Sequence, residues 1–290
     1  RSQEQNRRAI EWYRKIDGGD HWMEVQIRIA RLEALEGNAS AARERLRKLR
    51  AAHPEQVQRL FLVEGEILSQ IDRHDEAYRL YSEYLESQPD DTEILYARAL
   101  VAERLDRLQQ AEADFRAVLK QDPDNARTLN ALGYTLADRS ERYEEALVLY
   151  NEFEERHPTN EAIAYVMYQK GMCSYNRIDR VDRDITGAIE AIQSFEELLR
   201  AFPDSPYTEE ARARIEAANE FLVNHEFNVV EFYLRTEKYS QAETRLNYIL
   251  AMYPDSPVAP RAQEILDLIE AGTPPKYGIG RWFKNLTLPD

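Results

Sequence analysis

The sequence predicts an all-α fold, a solenoid of helix-turn-helix hairpins, and three observations predict it. Pro54, Pro89, Pro123, Pro158, Pro203 and Pro254 each stand twelve residues after an alanine: Ala42, Ala77, Ala111, Ala146, Ala191 and Ala242. Four residues after each alanine comes a large apolar side chain, in turn Leu46, Tyr81, Phe115, Tyr150, Phe195 and Leu246; twelve before it, in the copies of regular length, comes a small one, Ala30, Gly65 or Ala99. Within a copy the apolar residues recur three and four apart, the spacing of one buried helical face. Two helices approach closely only where a small side chain leaves room for bulk opposite it. The pattern therefore describes helix pairs, each closed by a proline.

The cleanest copy, residues 90–122, places Leu95, Ala99, Leu100, Ala102 and Leu105 on the buried face of a first helix. Leu108, Ala111, Phe115, Val118 and Leu119 form that of a second, with Asp106-Arg107 at the turn and Asp122 to Asn125 as stop and cap. This unit resembles the tetratricopeptide repeat, whose period of about 34 residues it shares. The resemblance implies a right-handed superhelix in which each hairpin touches only its neighbours, so the burial is a string of small interfaces. Function must be argued from surfaces.

In chain order, residues 1–16 read as the second helix of a half repeat, with Ala9 and Tyr13 in the small and bulky places. Its missing partner implies a chain cut from something longer. Repeats follow over 22–53, 55–88 and 90–122, and a fourth starts at 124 and closes by 157; together residues 1–150 form a regular block. Trp22 reads as a packing residue, and Arg43, Arg45, Arg47 and Arg50 as a solvated outer face. The first four closing prolines are 35, 34 and 35 residues apart, but the next two intervals are 45 and 51. The first surplus falls in the charged linker NRIDRVDRDITG; the second lengthens a helix running from Tyr207 to Leu234. Ser205 and Ser256, each before a proline, read as caps of the helices that follow. A final helix over 258–271 seals the stack, and residues 272–290 form a tail.

A second resemblance concerns residues 151–271, the longer repeats and capping helix. The run HPTNEAIAYVMYQKG, NRIDRVDRD and SFEELLRAFPDSPYTEEARARIEAANEFLVNHEFNVVEFYLRTEKYSQAETRLNYILAMYPDSP is similar to the outer-membrane assembly lipoprotein family BamD. That family implies binding to the periplasmic domains of the barrel-assembly protein, with the long helix from Tyr207 as the contact; relatives carry arginine where this chain has Phe221. The segments LYARALVAERLDRL and LNALGYTLADRSERYEEAL resemble bacterial tetratricopeptide lipoproteins that act as outer-membrane adaptors. The two resemblances meet around residues 144–154, which implies an engineered chimera of two periplasmic, outer-membrane-anchored parents. The alternative is a natural periplasmic adaptor delivering substrates to a protease or hydrolase. As the sequence starts at Arg1, no signal or lipid anchor is expected, and the chain reads as soluble.

Chemistry is not what the residues point to. There is no GxSxG, glycine-rich phosphate loop or HExxH, and the carboxylate pairs Glu144-Glu145 and Glu154-Glu155 diverge on a helix. No enzyme, catalytic residue, cofactor or metal is expected. Cys173 reads as a small core side chain. A net charge of -15 without a cationic track argues against nucleic acid, and no apolar run is long enough to span a membrane. What remains is a protein or peptide partner. The expected groove strip is Arg28, Arg31, Arg59, Tyr96, Arg127, Asn130 and Tyr134 on successive first helices, suited to an extended or acidic peptide. Trp282 and Phe283 in the tail read as either a flap on the last helices or an anchor for a partner.

Overall fold

The computed structural model describes residues 2–16, 18–178 and 184–275, in two compact units, Arg1–Glu141 and Arg142–Asp290. Among the described residues the regular elements are all helices. The first unit holds α1 (Ser2–Tyr13), α2 (Trp22–Leu35), α3 (Ala39–Ala52), α4 (Val57–Gln70), α5 (His74–Ser87), α6 (Thr92–Arg104), α7 (Leu108–Gln121) and α8 (Ala126–Ser140). The second holds α9 (Tyr143–Arg156), α10 (Ile163–Asn176), α11 (Thr186–Ala201), the 28-residue α12 (Thr208–Arg235), α13 (Tyr239–Met252) and α14 (Ala259–Glu270).

Helices pair as hairpins: α2 with α3, α4 with α5, α6 with α7, α10 with α11 and α12 with α13. First helices also touch the first helix of the next hairpin, as α2 does α4 and α4 does α6. The small–bulky code explains the spacing. All six alanines and all six bulky partners are buried. A Cβ placed on Gly65 would lie 2.1 Å from Cζ of Tyr81, and one on Gly171 would lie 2.5 Å from Cε1 of Phe195. Both glycines are the absence of a side chain where a ring must enter.

The hairpin turns share a geometry that the residue pattern did not announce. Arg73 N donates to Leu68 O at 2.8 Å and Asp72 N to Ser69 O; Arg107 and Asp106 repeat the pair on Ala102 and Glu103, and Lys238 and Glu237 on Tyr233 and Leu234. Asp72, Asp106 and Glu237 are left-handed, with φ of 57°, 59° and 54°. This double bond with a left-handed residue between is the Schellman close of a helix. Gly37 fills the same place after α2 at no steric cost.

Several expectations need correction. On α6 the buried residues are Ile94, Leu95, Ala99, Val101 and Ala102, while Leu100 and Leu105 are half-buried. The helix packs on both α5 and α7, so its apolar face is broader than a single stripe. Ser205 and Ser256 are not helix caps: α12 and α14 start at Thr208 and Ala259, and the two serine carbonyls close a turn onto those amides at 3.2 and 3.0 Å. The arginines of α3 are not merely solvated. Arg45 reaches Glu33 at 2.7 Å, Arg43 reaches Glu64 at 2.8 Å and Arg50 also pairs with Glu64, a carboxylate only 1 % exposed. A charge buried that deeply requires cations on it.

Trp22 is half-buried against the α2–α3 core, its ring 5.8 Å from His53, and Cys173 is buried. In the charged linker Arg177 bridges Glu144 at 3.1 Å and Glu190 at 2.6 Å, and Asp184 caps Thr186; residues 179–183 lie outside the described residues.

Candidate functional site

The seven strip residues fall on successive first helices of the first unit: Arg28 and Arg31 on α2, Arg59 on α4, Tyr96 on α6, and Arg127, Asn130 and Tyr134 on α8. Their arginines are already engaged. Arg31 Nη2 lies 2.7 Å from Glu66 Oε2 on α4, Arg59 pairs with Glu24 on α2, and Arg127 Nη2 lies 2.7 Å from Glu93 Oε1 on α6. Arg28 donates to the Tyr13 hydroxyl at 3.3 Å. The partners stand 34 or 35 residues apart, one repeat length, so each pair ties a first helix to the next. Two further pairs at 2.7 Å reach the turns instead of extending this ladder: Arg107, just before α7, meets Asp75 on α5, and Arg139 on α8 meets Asp106 in the α6–α7 turn. The ladder carboxylates were missed in the sequence, although their offset equals the repeat and could have revealed them.

Two strip residues come together. The Arg127 guanidinium sits 5.0 Å from the centre of the Tyr96 ring, which in turn leans on Phe115. Tyr96 and Arg127 line a hollow of about 380 Å³, with Leu62, Ala97 and Leu100 as apolar floor and Arg104 on the rim. Arg104 is exposed and forms no salt bridge among the described residues. Asn130, one turn beyond Arg127, has a buried Oδ1 without a hydrogen-bond partner. Tyr134 bonds Asp138; burial pushes that carboxyl up, against the opposing effect of the tyrosine and Arg139. Burial likewise raises Glu103, whose nearest cation, Arg139, is 3.7 Å away.

This arrangement offers an apolar floor with an unengaged guanidinium at its edge. These groups recognise a chain by contact and hydrogen bond. Among the described residues no cluster of three or more His, Cys, Asp or Glu is placed to hold a metal ion, and no helix is long and apolar enough to cross a membrane.

In the second unit Phe221 on α12 is packed with Ala218, Leu222 and Tyr175, so its ring fills an apolar cluster. Further along the same helix Phe232 is 52 % exposed. Trp282 and Phe283 lie outside the described residues.

The sequence matches the family model described as "YfiO: Outer membrane lipoprotein" over residues 88–271. It is 36% identical over 173 residues to a TPR repeat-containing protein of Pseudomonas aeruginosa, covering 58% of this chain and 29% of that protein. It is 31% identical over 129 residues to the outer membrane protein assembly factor BamD of Vibrio cholerae, covering 41% and 54%. The chain thus spans less than two thirds of these relatives' length. Its structure resembles that of a tetratricopeptide repeat protein from Parabacteroides merdae, with a TM-score of 0.51 at 17% identity over 85% of this chain and 98% of the other. The likeness bears out the all-helical repeat fold expected from the sequence.

Proposed function

The chain belongs to the YfiO family of outer membrane lipoproteins, and from that premise we propose that it is a non-catalytic, protein-binding scaffold for outer-membrane protein assembly. The observation that carries the reading is the family match over residues 88–271. Its partner is the periplasmic portion of the barrel-assembly protein, bound through α12, where Phe232 supplies an exposed aromatic side chain. Its place is the periplasmic face of the outer membrane. The face around Tyr96, Arg104 and Arg127 in the first unit takes an extended peptide whose carboxylate meets Arg104. The family match also runs across residues 144–154, where a junction of two parents was expected. That continuity weighs for one family rather than a chimera.

The test is titration of the full chain with the periplasmic domains of a barrel-assembly protein, followed by calorimetry. Saturable binding that Phe232→Asp weakens at least tenfold is expected, about 1.4 kcal/mol of binding energy. Absence of binding by a chain that circular dichroism shows to be folded would overturn the assignment. Cross-linking in the periplasm that yields a protease in place of the barrel-assembly protein would support the adaptor reading instead.

A further inference from the structure

We propose that a groove beside α12 is the seat of the chain's own basic aromatic tail, residues 276–284. The groove, about 500 Å³, is lined on one side by Arg212, Ile215, Glu216, Asn219 and Glu220, which recur three and four apart along one face of α12. On the other side runs the connection from Met252 to Pro257 between α13 and α14. Its volume is that of a site for a large side chain or small ligand.

Three features ask for an occupant. Met252 on the rim is 59 % exposed, an apolar side chain left in water at the edge of a concavity. Glu216, Glu220 and Asp255 outnumber the single cation Arg212, and none of the four forms a salt bridge among the described residues. Ser256 has a buried Oγ with no hydrogen-bond partner, an unfilled polar position in the lining itself.

The tail supplies the complement. KYGIGRWFK, residues 276–284, carries Lys276, Arg281 and Lys284 with Trp282 and Phe283 between them and no acid, in a chain whose net charge is -15. Position allows the return. The connection that walls the groove delivers the start of α14, and twelve residues of helix carry the chain about 18 Å away. At that end Gly272 is left-handed at φ 74°, and Thr273 N donates to Leu268 O at 2.9 Å, a helix close that redirects the backbone. The seven residues from Pro275 to Trp282 span about 23 Å when extended, enough to run back the length of α14. Tethering makes the encounter intramolecular, so modest contacts suffice.

The experiment uses the full chain with Trp12→Phe and Trp22→Phe, leaving Trp282 as the only tryptophan. Trp282 is expected to emit to the blue of free tryptophan and to resist acrylamide. Glu216→Lys with Glu220→Lys in one variant, and Met252→Asp in another, change exposed residues; each should shift the emission to the red and raise quenching several-fold with the helical circular dichroism unchanged. A solvent-like Trp282 in the parent overturns the proposal. So does protection that neither groove variant reduces, which places the seat elsewhere, or protection that fades on dilution, which makes the occupant a second copy. The outcome is independent of whether the chain binds the barrel-assembly protein.

Discussion

In residues 1–141 neighbouring first helices are joined by charge at two steps, α2 to α4 through Arg31–Glu66 and Arg59–Glu24, and α6 to α8 through Arg127–Glu93. In residues 142–290 the corresponding contact between α10 and the start of α12 is aromatic: the rings of Tyr165 and Tyr168 lie 5.8 and 5.1 Å from that of Tyr207, the second stacked at 19°. The difference follows repeat length. Point charges on consecutive helices fall opposite one another only when the register is constant, and the first unit keeps it at 34 or 35 residues. Where repeats lengthen to 45 and 51 residues that registry is lost. Ring faces are large and tolerate offset, so they hold helices whose spacing varies. The ion pair returns only weakly at the end of the chain, as Arg261 to Glu231 at 3.5 Å.

The contrast can be broken at its strongest points first. Phe195→Ala removes the ring that fills the space above Gly171, and should lower stability by about 3–5 kcal/mol in a urea titration. Arg98→Met strips the bidentate partner, at 2.7 Å, from an Asp114 that is almost fully buried, with an expected cost of about 3 kcal/mol. Adding Asp114→Leu should recover most of it, because the cost lies in the abandoned carboxylate. A ladder pair is worth far less: Arg127→Ala should cost under about 1 kcal/mol, since both partners are half in water. Raised salt should correspondingly speed hydrogen exchange more at α2, α4 and α6 than at α10.

The smallest effect is one of pH. Burial raises the Glu103 carboxyl, so ionising it disfavours the fold. Its contribution to stability is full below the ordinary glutamate range and is lost as pH rises through the raised value. Glu103→Gln should therefore stabilise the chain slightly at neutral pH and lose that advantage in acid. A melting series against pH, compared with the parent, measures it.

The hairpin register was legible because it is written in volume. Ala77 and Tyr81, or Ala191 and Phe195, sit four apart in sequence and are buried together. The placement of arginines on first helices was legible for the same reason. What they touch was not: Glu66 is 35 residues from Arg31, and nothing within either helix distinguishes an engaged arginine from a solvated one. Nothing within α4 itself marks Glu64, and only the approach of α3 turns it into a buried counterion for two arginines. Likewise Asp72, Asp106 and Glu237 carry no sign of their left-handed backbone, which the hairpin imposes.

The ladder has a consequence for how such a chain can grow. Arg31, Arg59 and Arg127 are each answered by an acid on the adjacent first helix. Because partners hold the same place in consecutive repeats, Glu24, Arg59, Glu93 and Arg127 alternate in sign, and a single hairpin duplicated in phase would set like against like, Arg59 beside a second arginine. Two hairpins duplicated together would keep the alternation, so electrostatics would admit growth by pairs of repeats and disfavour growth by single ones.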